Sequence, residues 1–454
     1  MLYDLIVIGG GPAGYMAAER ASHAGMSVLL AEKRFLGGVC LNEGCIPSKT
    51  LLHAAKVLHY ADHGKGYGVT CTGASLDHRA VIARKQKVVR TLVSGVRNTL
   101  KKNGATLLEG EAVLKGRSGE AFIVEVAGTR YEGKRVLIAT GSEPLMPPIP
   151  GLKEGYESGF VLTNREILDL EKVPGTLVVL GGGIVGLEMA SYYRSAGSRV
   201  MVVEMLDHIA GSTDREAAEL LQKICTARGM EFHLNARVVE ITKDSVVYQQ
   251  GDERHALGAD KVLASLGRRP VVAGFGLDSI GLVPERGAIQ TDERGRTRIP
   301  EVYAAGDVNG KMMLAHVAYR EAEVCVSTML GKKDVIRYHA IPSVIYTMPE
   351  VAGAGETKES CAAKGIAYEE RKVSMMFSGR FVAENLDTEG FCRVLAEKGT
   401  GRLLGVHMIG SYAGEMIYGA SLMMEMELGI EDIRQLVFPH PTVSEVIREA
   451  VWQF

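Results

Sequence analysis

"DLIVIGGGPAGYMAAERASHAGMSVLLAEK", residues 4–33, aligns without gaps on "TLVVLGGGIVGLEMASYYRSAGSRVMVVEM", residues 176–205. Each copy has an apolar run typical of a strand, then a glycine turn and a helix-like stretch rich in small residues. A second apolar run, ending near an acid, completes each copy. The pattern therefore predicts a βαβ unit that occurs twice in the chain.

The glycine turn of each copy fits the GxGxxG pattern of dinucleotide-binding loops, and an acid follows 23 residues after its first glycine. The first glycine permits a tight turn, the second lets the backbone approach a pyrophosphate, and the third packs the helix against the strand. The acid can accept hydrogen bonds from both hydroxyls of an adenosine ribose, whereas it would repel a 2′-phosphate. Two dinucleotide sites that prefer an unphosphorylated ribose are predicted, at Gly9, Gly11, Gly14 and Glu32 and at Gly181, Gly183, Gly186 and Glu204.

The 454-residue chain is too long for one ordinary domain, and its 46% hydrophobic and 23% charged residues are typical of a soluble globular enzyme. The 52 basic and 54 acidic residues nearly cancel, which argues against a nucleic-acid partner. No apolar run is long enough to span a membrane, and the N-terminus passes directly into a strand pattern without a leader peptide. The sequence predicts a cytoplasmic protein that binds neither membranes nor nucleic acid.

Two further segments combine an apolar run, a glycine turn and proline: "RVLIATGSEPLMPPIPG" (135–151) and "KVLASLGRRP" (261–270). Such segments are typical of crossings between domains. We therefore predict an α/β protein with two Rossmann-like dinucleotide-binding domains and a C-terminal α+β domain. The predicted limits are 1–143 for the first nucleotide domain, 144–268 for the second, 269–338 for a central segment that completes the first site, and 339–454 for the C-terminal domain.

The segment "GGVCLNEGCIP" (37–47) contains Cys40 and Cys45, which could be a zinc clip, a structural staple, core thiols or a redox dithiol. Zinc usually takes four ligands in closely spaced groups, and no second pair accompanies these thiols, so no metal site is predicted. Free thiols are common in cores, but glycines flank this pair. A helix that opens near Pro47, with Lys49 in its first turn, would favour thiolate. A redox dithiol fits best.

The position of the dithiol also indicates which cofactor binds at which site. Cys40 follows Glu32 by only a few residues, so the dithiol belongs to the domain of the first dinucleotide. Nicotinamide does not usually exchange electrons directly with a disulfide, whereas a flavin can react with a thiolate on one face and with nicotinamide on the other. The sequence therefore predicts FAD in the first site and NAD in the second.

With these residues established, the chain resembles the flavoprotein disulfide reductases, the class I pyridine nucleotide-disulfide oxidoreductases, and most closely the branch that oxidises dihydrolipoyl groups. The matching motifs span almost the whole chain. They are "GGGPAG" with Glu32, "GGVCLNEGCIPSK", "GGGIVGLEMA" with Glu204, "AAGDVNG" and "FPHPTVSE".

The resemblance implies a role for each reactive residue. Cys40 would be the thiol that exchanges with substrate, and Cys45 would lie against the flavin, the two forming a redox disulfide. Lys49 and Glu188 would form an ion pair near the flavin and the nicotinamide. The repeat itself singles out Glu188, because its counterpart in the first copy is Met16. The wider cofactor-contacting set that the resemblance implies adds Pro12, Ala13, Lys33, Thr140, Gly141, Gly267, Asp307 and Ala315.

His440 lies between two prolines and therefore cannot be a helix-interior core residue. Glu445, in a helix that Thr442 or Ser444 could cap, can return to bind one imidazole nitrogen and set its tautomer. By resemblance, this pair would come from the other subunit of a homodimer and face Cys40. Such a pair can take a proton from a thiol and return it.

The expected activity is NAD-linked oxidation of protein-bound dihydrolipoyl groups through FAD, with lipoyl domains of 2-oxoacid dehydrogenase or glycine cleavage complexes as partners. The alternative is a related NAD(P)H-dependent reductase of glutathione or another small disulfide. A mercuric reductase would need a further cysteine pair, but no cysteine follows Cys392. A transhydrogenase of this family would lack the dithiol. A non-catalytic flavoprotein would not need the whole set of reactive residues.

Overall fold

The computed structural model describes residues 2–387 and 389–454 and contains many short strands. The strands are β1 (Leu2–Tyr3), β2 (Leu5–Ile8), β3 (Val28–Glu32), β4 (Thr106–Glu109), β5 (Ala112–Ser118), β6 (Ala121–Val126), β7 (Thr129–Gly133), β8 (Val136–Ile138), β9 (Ser142–Pro144), β10 (Val161–Leu162), β11 (Thr176–Leu180), β12 (Arg199–Val203), β13 (Met230–His233), β14 (Ala236–Ile241), β15 (Ser245–Gln250), β16 (Glu253–Gly258), β17 (Lys261–Ala264), β18 (Arg268–Pro270), β19 (Val302–Ala304), β20 (Ser343–Ile345), β21 (Glu350–Gly355), β22 (Tyr368–Ser374), β23 (Phe391–Glu397) and β24 (Leu403–Gly410).

Helices alternate with these strands. They are α1 (Pro12–His23), α2 (Gly38–Glu43), α3 (Cys45–Asp62), α4 (His78–Lys102), α5 (Leu152–Glu157), α6 (Asn164–Ile167), α7 (Ile184–Ser195), α8 (Arg215–Ala227), α9 (Ala315–Met329), α10 (Lys358–Lys364), α11 (Gly379–Glu384), α12 (Ala413–Glu425), α13 (Ile430–Arg434) and α14 (Glu445–Val451). Short 3₁₀ helices cover Gly64–Tyr67, Leu277–Ile280, Asp307–Asn309 and Met375–Phe377.

The first compact unit contains the described residues up to Thr50, Ile82–Leu145 and Gly267–Arg337. Its central sheet is parallel, with strand order β19-β8-β2-β3-β4. Strand β2 is buried along its whole length, as expected for an apolar strand covered on both faces. Helices α1 and α9 pack together beside this sheet, and a second sheet has the order β1-β7-β6-β5.

The second compact unit contains Leu51–Val81, Met146–Leu266 and the described residues of Tyr338–Phe454. It has a parallel sheet of order β10-β17-β11-β12-β13, in which β11 and β12 come from the second copy of the repeat. Its other large sheet is antiparallel, of order β20-β21-β24-β23-β22, and its buried side chains pack against helices α12 and α14. The predicted fold class is confirmed: both repeats are βαβ units, and an α+β portion follows them.

The two units divide the chain after residues 50, 81, 145, 266 and 337. Three of these divisions fall close to the predicted domain limits, but the unit with the second repeat also includes residues 51–81 and the C-terminal portion. The four-part division remains a prediction. Among the described helices, none combines the length and the apolarity that crossing a bilayer requires.

Candidate active site

The first glycine loop has the geometry that a pyrophosphate needs. Gly9 has φ +104°, and a Cβ there would lie 2.3 Å from the carbonyl oxygen of Ala139. A Cβ on Gly14 would lie 1.8 Å from the carbonyl oxygen of Gly9, so these two positions require glycine for the protein's own packing. A Cβ on Gly11 would meet only the Cα of Gly38, at 3.8 Å. The middle glycine therefore faces free space at the N-terminus of α1, where a phosphate group fits.

The second loop repeats this geometry. Gly181 has φ +95°, and a Cβ there would lie 2.4 Å from the carbonyl oxygen of Ser265. A Cβ on Gly186 would lie 2.4 Å from the carbonyl oxygen of Gly181, whereas a Cβ on Gly183 would meet nothing within 4 Å. The residues present therefore fit a dinucleotide at each loop.

The acids that follow the two loops are held in the same way. The Glu32 carboxylate accepts one hydrogen bond from the backbone N–H of Gly10 at 2.6 Å and another from the N–H two residues after itself at 2.7 Å. The Glu204 carboxylate accepts the equivalent bonds from Gly182 at 2.6 Å and from the N–H two residues on at 2.8 Å. Each carboxylate oxygen keeps a second lone pair, so each acid can still bind a ribose hydroxyl with both oxygens.

The dithiol lies where two helices meet. Cys40 is inside the short helix α2, and Cys45 is the first residue of α3, which begins two residues before the predicted start at Pro47. Positive φ angles at Gly37 and Gly38 turn the chain into α2, so these two glycines form the turn that precedes the helix. Cys45 thus stands at a helix N-terminus, where unpaired N–H groups favour thiolate.

Both cysteines are half-buried, and their electrostatics are linked. The pKa of Cys40 lies far above its ordinary value, first because its thiol shares a hydrogen bond with Cys45 and then because it is buried. The charge of Asp307 adds to this rise, whereas the Lys49 ammonium opposes it. The two thiols are therefore close enough to hydrogen-bond, and Lys49 lies close enough to favour a negative charge on Cys40.

Asp307, one of the predicted cofactor residues, is oriented by residues that the sequence analysis missed. The Ser142 hydroxyl donates to Asp307 Oδ2 at 2.5 Å, and Arg268 Nε donates to the Ser142 hydroxyl at 2.7 Å. Ser142 and Arg268 belong to the short antiparallel pair β9 and β18. Ser142 and Arg268 lie in the two segments, 135–151 and 261–270, that share an apolar run, a glycine turn and proline. This shared pattern is the signal in the sequence that could have identified them. A third missed residue, the buried Glu321, accepts the backbone N–H of Gly306 at 2.6 Å.

The other predicted cofactor residues lie on these same elements. Pro12 and Ala13 begin α1, and Ala315 begins α9. The Thr140 hydroxyl donates to the carbonyl oxygen of Val271 at 2.7 Å, whereas Lys33 lies 3.6 Å from Glu111 in an exposed ion pair. A Cβ on Gly141 or Gly267 would meet nothing within 4 Å, and both glycines have positive φ.

His440 and Glu445 form the predicted pair. His440 Nδ1 lies 2.9 Å from Glu445 Oε1, and the backbone N–H of Thr442 donates to Glu445 Oε2 at 2.9 Å. This backbone bond and the imidazole hold the pKa of Glu445 below its ordinary value. Ser444 stands at the N-cap position of α14, as predicted, but its side chain makes no capping bond, and the Glu445 carboxylate binds the turn instead. The imidazole itself is largely exposed, with 78% of its side-chain area accessible.

The predicted ion pair of Lys49 and Glu188 remains a prediction, because Lys49 belongs to the first compact unit and Glu188 to the second. Glu188 is buried in α7 and accepts the backbone N–H of Tyr346 at 3.1 Å. In the part of the chain that the structure describes, no three His, Cys, Asp or Glu side chains are grouped to hold a metal ion.

Comparison with protein families matches nearly the whole chain. The family model described as pyridine nucleotide-disulphide oxidoreductase matches residues 3–322, and the model for the dimerisation domain of these oxidoreductases matches residues 341–451. The chain belongs to this family. It is therefore an FAD-dependent, NAD-linked disulfide oxidoreductase, as the resemblance in its motifs implied.

Curated relatives and solved structures agree with this family. The oxidoreductase is 38% identical over 453 residues to a dihydrolipoyl dehydrogenase from Mycoplasma pneumoniae, covering 99% of this chain and 98% of the relative. It is 40% identical over 459 residues to a dihydrolipoamide dehydrogenase from Chaetomium thermophilum, covering 98% and 90%. The structure of LpdA from Mycobacterium tuberculosis superposes with a TM-score of 0.90 at 25% identity, covering 99% of both chains. RclA, an HOCl-induced flavoprotein disulfide reductase from Escherichia coli, gives 0.86 at 26% identity, again covering 99% of both.

Proposed function

We propose that this oxidoreductase is a dihydrolipoyl dehydrogenase, which oxidises protein-bound dihydrolipoyl groups and reduces NAD. The observation that carries the proposal is the Glu204 carboxylate, held by two backbone N–H groups beside the second glycine loop. An acid fixed at this point favours NAD over NADP. The full-length likeness to dihydrolipoyl dehydrogenases supports the same branch of the family.

Cys40 and Cys45 carry the chemistry in the proposed reaction. A dihydrolipoyl thiol loses its proton to His440 of the partner subunit and attacks Cys40 of the Cys40–Cys45 disulfide, releasing Cys45 as a thiolate. The second substrate thiol then displaces Cys40 and closes the lipoyl disulfide. Two electrons have now passed from substrate sulfur to enzyme sulfur, and no other oxidant is consumed. When bound, FAD supplies the two-electron chemistry that links the reduced dithiol to NAD.

The remaining polar residues position these groups in the proposal. Glu445 orients His440, to which it is already hydrogen-bonded, and Lys49 favours negative charge on the dithiol. Asp307 and the N-terminus of α9 would hold FAD, and Lys49 would pair with Glu188 beside the nicotinamide.

The proposed active enzyme is a homodimer, because His440 and Glu445 act on the Cys40 of the other chain. An exposed apolar stripe on α12 and its C-cap residue supports this assembly: Tyr418, Leu422 and Met426 recur at helical spacing, and each has at least 49% of its area accessible. The match of residues 341–451 to a dimerisation domain also supports it. The proposed partners are lipoyl domains of 2-oxoacid dehydrogenase or glycine cleavage complexes. The proposed place of action is the cytoplasm, in keeping with seven cysteines spread thinly over a long chain rather than arranged as a disulfide framework.

A substrate comparison tests the proposal. Purified protein is assayed with lipoamide, glutathione disulfide and coenzyme A disulfide, each with NADH and with NADPH. We expect lipoamide with NADH to give a kcat/KM at least about 100-fold above every other pair, in the range that buried polar recognition provides. Preference for glutathione disulfide with NADPH would instead support the alternative, a small-disulfide reductase.

A further inference from the structure

A buried cluster of charges surrounds Arg393, a residue to which the reaction assigns no part. Arg393 lies on strand β23 and is only 2% exposed. Its guanidinium donates to Asp214 and to Glu216, and its Nε lies 3.5 Å from Glu370. Asp214 is fully buried. A buried charge is tolerated when it is paired and hydrogen-bonded, and removal of one partner leaves the other uncompensated.

The Asp214 carboxylate makes two separate hydrogen bonds in this cluster. Its Oδ1 accepts the backbone N–H of Ala217 at 3.0 Å and so caps α8, while its Oδ2 accepts from Arg393. Helix α8 follows the second repeat, whereas β23 is in the antiparallel sheet near the C-terminus. Both elements belong to the second compact unit. Arg393 therefore ties the start of α8 to this sheet.

The segment between Glu204 and Asp214 connects the cluster to the nucleotide loop. The backbone N–H of Ala210 donates to the carbonyl oxygen of Gly182 at 2.8 Å. A Cβ on Gly182 would lie 3.2 Å from the side chain of Ile209, so this segment rests directly on the glycine loop. Gly182 is also the residue whose N–H binds Glu204. One chain segment thus contacts the loop near its middle and ends at Asp214.

We propose that Arg393 is a positioning residue for NAD: by holding Asp214, it fixes the 205–214 segment against the glycine loop and keeps Glu204 in place for the adenosine ribose. The inference rests on the proposed NAD site at Glu204. Without Arg393, the buried Asp214 carboxylate has no cation, and the segment shifts so that Asp214 can reach water. The adenosine half of NAD then binds less tightly, while the dithiol chemistry in the first repeat's unit is unaffected.

An exposed ion pair provides a matched control. Lys223 Nζ lies 2.5 Å from Glu389 Oε1 and also links α8 to the C-terminal portion, but the two side chains are 68% and 48% exposed. Surface pairs contribute little to stability. Lys223→Met therefore removes a cation from the same helix without uncovering a buried carboxylate, and it should leave nucleotide binding unchanged.

The test compares Arg393→Met, Arg393→Lys and Lys223→Met by calorimetric titration with ADP-ribose and by steady-state kinetics. We expect Arg393→Met to raise the Kd of ADP-ribose and the KM of NAD about 3-fold to 10-fold, as substitutions in a connecting network do, with kcat within about 2-fold of wild type. Arg393→Lys, which keeps a charge but not the two-point contact, should recover part of the loss. An unchanged Kd in Arg393→Met together with a lower melting temperature would overturn the proposal.

Two further variants keep the test decisive if Arg393→Met does not fold. Asp214→Asn retains a helix-capping side chain but loses the charge, and Glu216→Gln removes a half-exposed member of the cluster. We expect Asp214→Asn to weaken ADP-ribose binding, whether or not Glu216→Gln does so. Unaltered binding in both variants would refute the role of Arg393. Glu204→Gln distinguishes the underlying site: if it leaves ADP-ribose binding intact, the proposed NAD site is wrong. If only Glu204→Gln weakens binding, the NAD site stands and the Arg393 inference fails.

Discussion

Replacing Glu204 with Gln should change the choice between NAD and NADP more than it changes the chemistry. The carboxylate accepts backbone N–H groups from Gly182 at 2.6 Å and from Leu206 at 2.8 Å, which fixes both oxygens at the edge of the glycine loop. A glutamine has one acceptor oxygen, and its NH₂ group would face one of these two donors. The variant therefore loses one fixed acceptor for ribose and the negative charge that repels a 2′-phosphate.

The magnitude follows from two estimates. A hydrogen bond to a charged group contributes about 1.5–3 kcal/mol. Two like charges about 5 Å apart repel by about 2–3 kcal/mol at effective dielectric constants between roughly 20 and 40. Either effect alone corresponds to a change of about 10-fold to 150-fold in relative affinity. We therefore expect the ratio of kcat/KM for NADH to that for NADPH to fall by at least about 10-fold.

The assay is steady-state lipoamide reduction with each nicotinamide. The internal repeat supplies the control, because Glu32 binds its own glycine loop through the same two backbone bonds. Glu32→Gln should reduce the amount of FAD that the purified protein retains, but the FAD-loaded molecules should keep the wild-type nicotinamide preference. A change of less than about 3-fold in the Glu204→Gln ratio, well under the smallest of the estimates above, would refute the reasoning.

Four other outcomes are expected. Cys45→Ser should lower lipoamide turnover at least about 1000-fold, because exchange needs two sulfurs, whereas the buried Cys361→Ser should retain full turnover. Gly14→Ala would place a Cβ 1.8 Å from a backbone carbonyl oxygen, so the purified variant should contain little FAD by flavin absorbance. The pKa of Glu445 is lowered in the fold, so its contribution to stability is present above its ordinary value of 4.5 and is lost as pH falls through the lowered pKa; the melting temperatures of wild type and Glu445→Gln should converge in acid. Tyr418→Asp should elute as a monomer in size-exclusion chromatography if α12 forms the proposed interface.

Local sequence patterns were sufficient for the repeated units. The apolar runs gave β2, β3, β11 and β12, and the glycine spacing gave the two loops, because each depends on contacts within about thirty residues. The dithiol was found by exclusion of metal and core alternatives. Its local structure was not: the sequence predicted a helix only from near Pro47, yet Cys40 already lies in a short helix that follows a turn at Gly37 and Gly38.

The contacts that sequence reasoning missed join residues far apart in the chain. Ser142 reaches Asp307, and Arg393 reaches Asp214, across separations of 165 and 179 residues. A serine or an arginine on a strand has no periodicity that identifies its partner, and the pairing depends on which strands become neighbours. The topology therefore had to be known before either contact could be inferred.

One difference between the two repeats indicates that they have different functions. At equivalent positions in the helix, the first copy has Met16, which packs against an apolar cluster, and the second has the buried Glu188. The first copy demonstrates that a βαβ unit of this kind folds with methionine at this position, so the fold does not require an acid there. A buried carboxylate is costly unless it is hydrogen-bonded or paired, and Glu188 receives a backbone N–H from Tyr346 that holds it in place. Because the fold does not require the buried Glu188 carboxylate and its burial is costly, we infer that Glu188 has a functional role. The proposed pairing with Lys49 beside the nicotinamide is such a role.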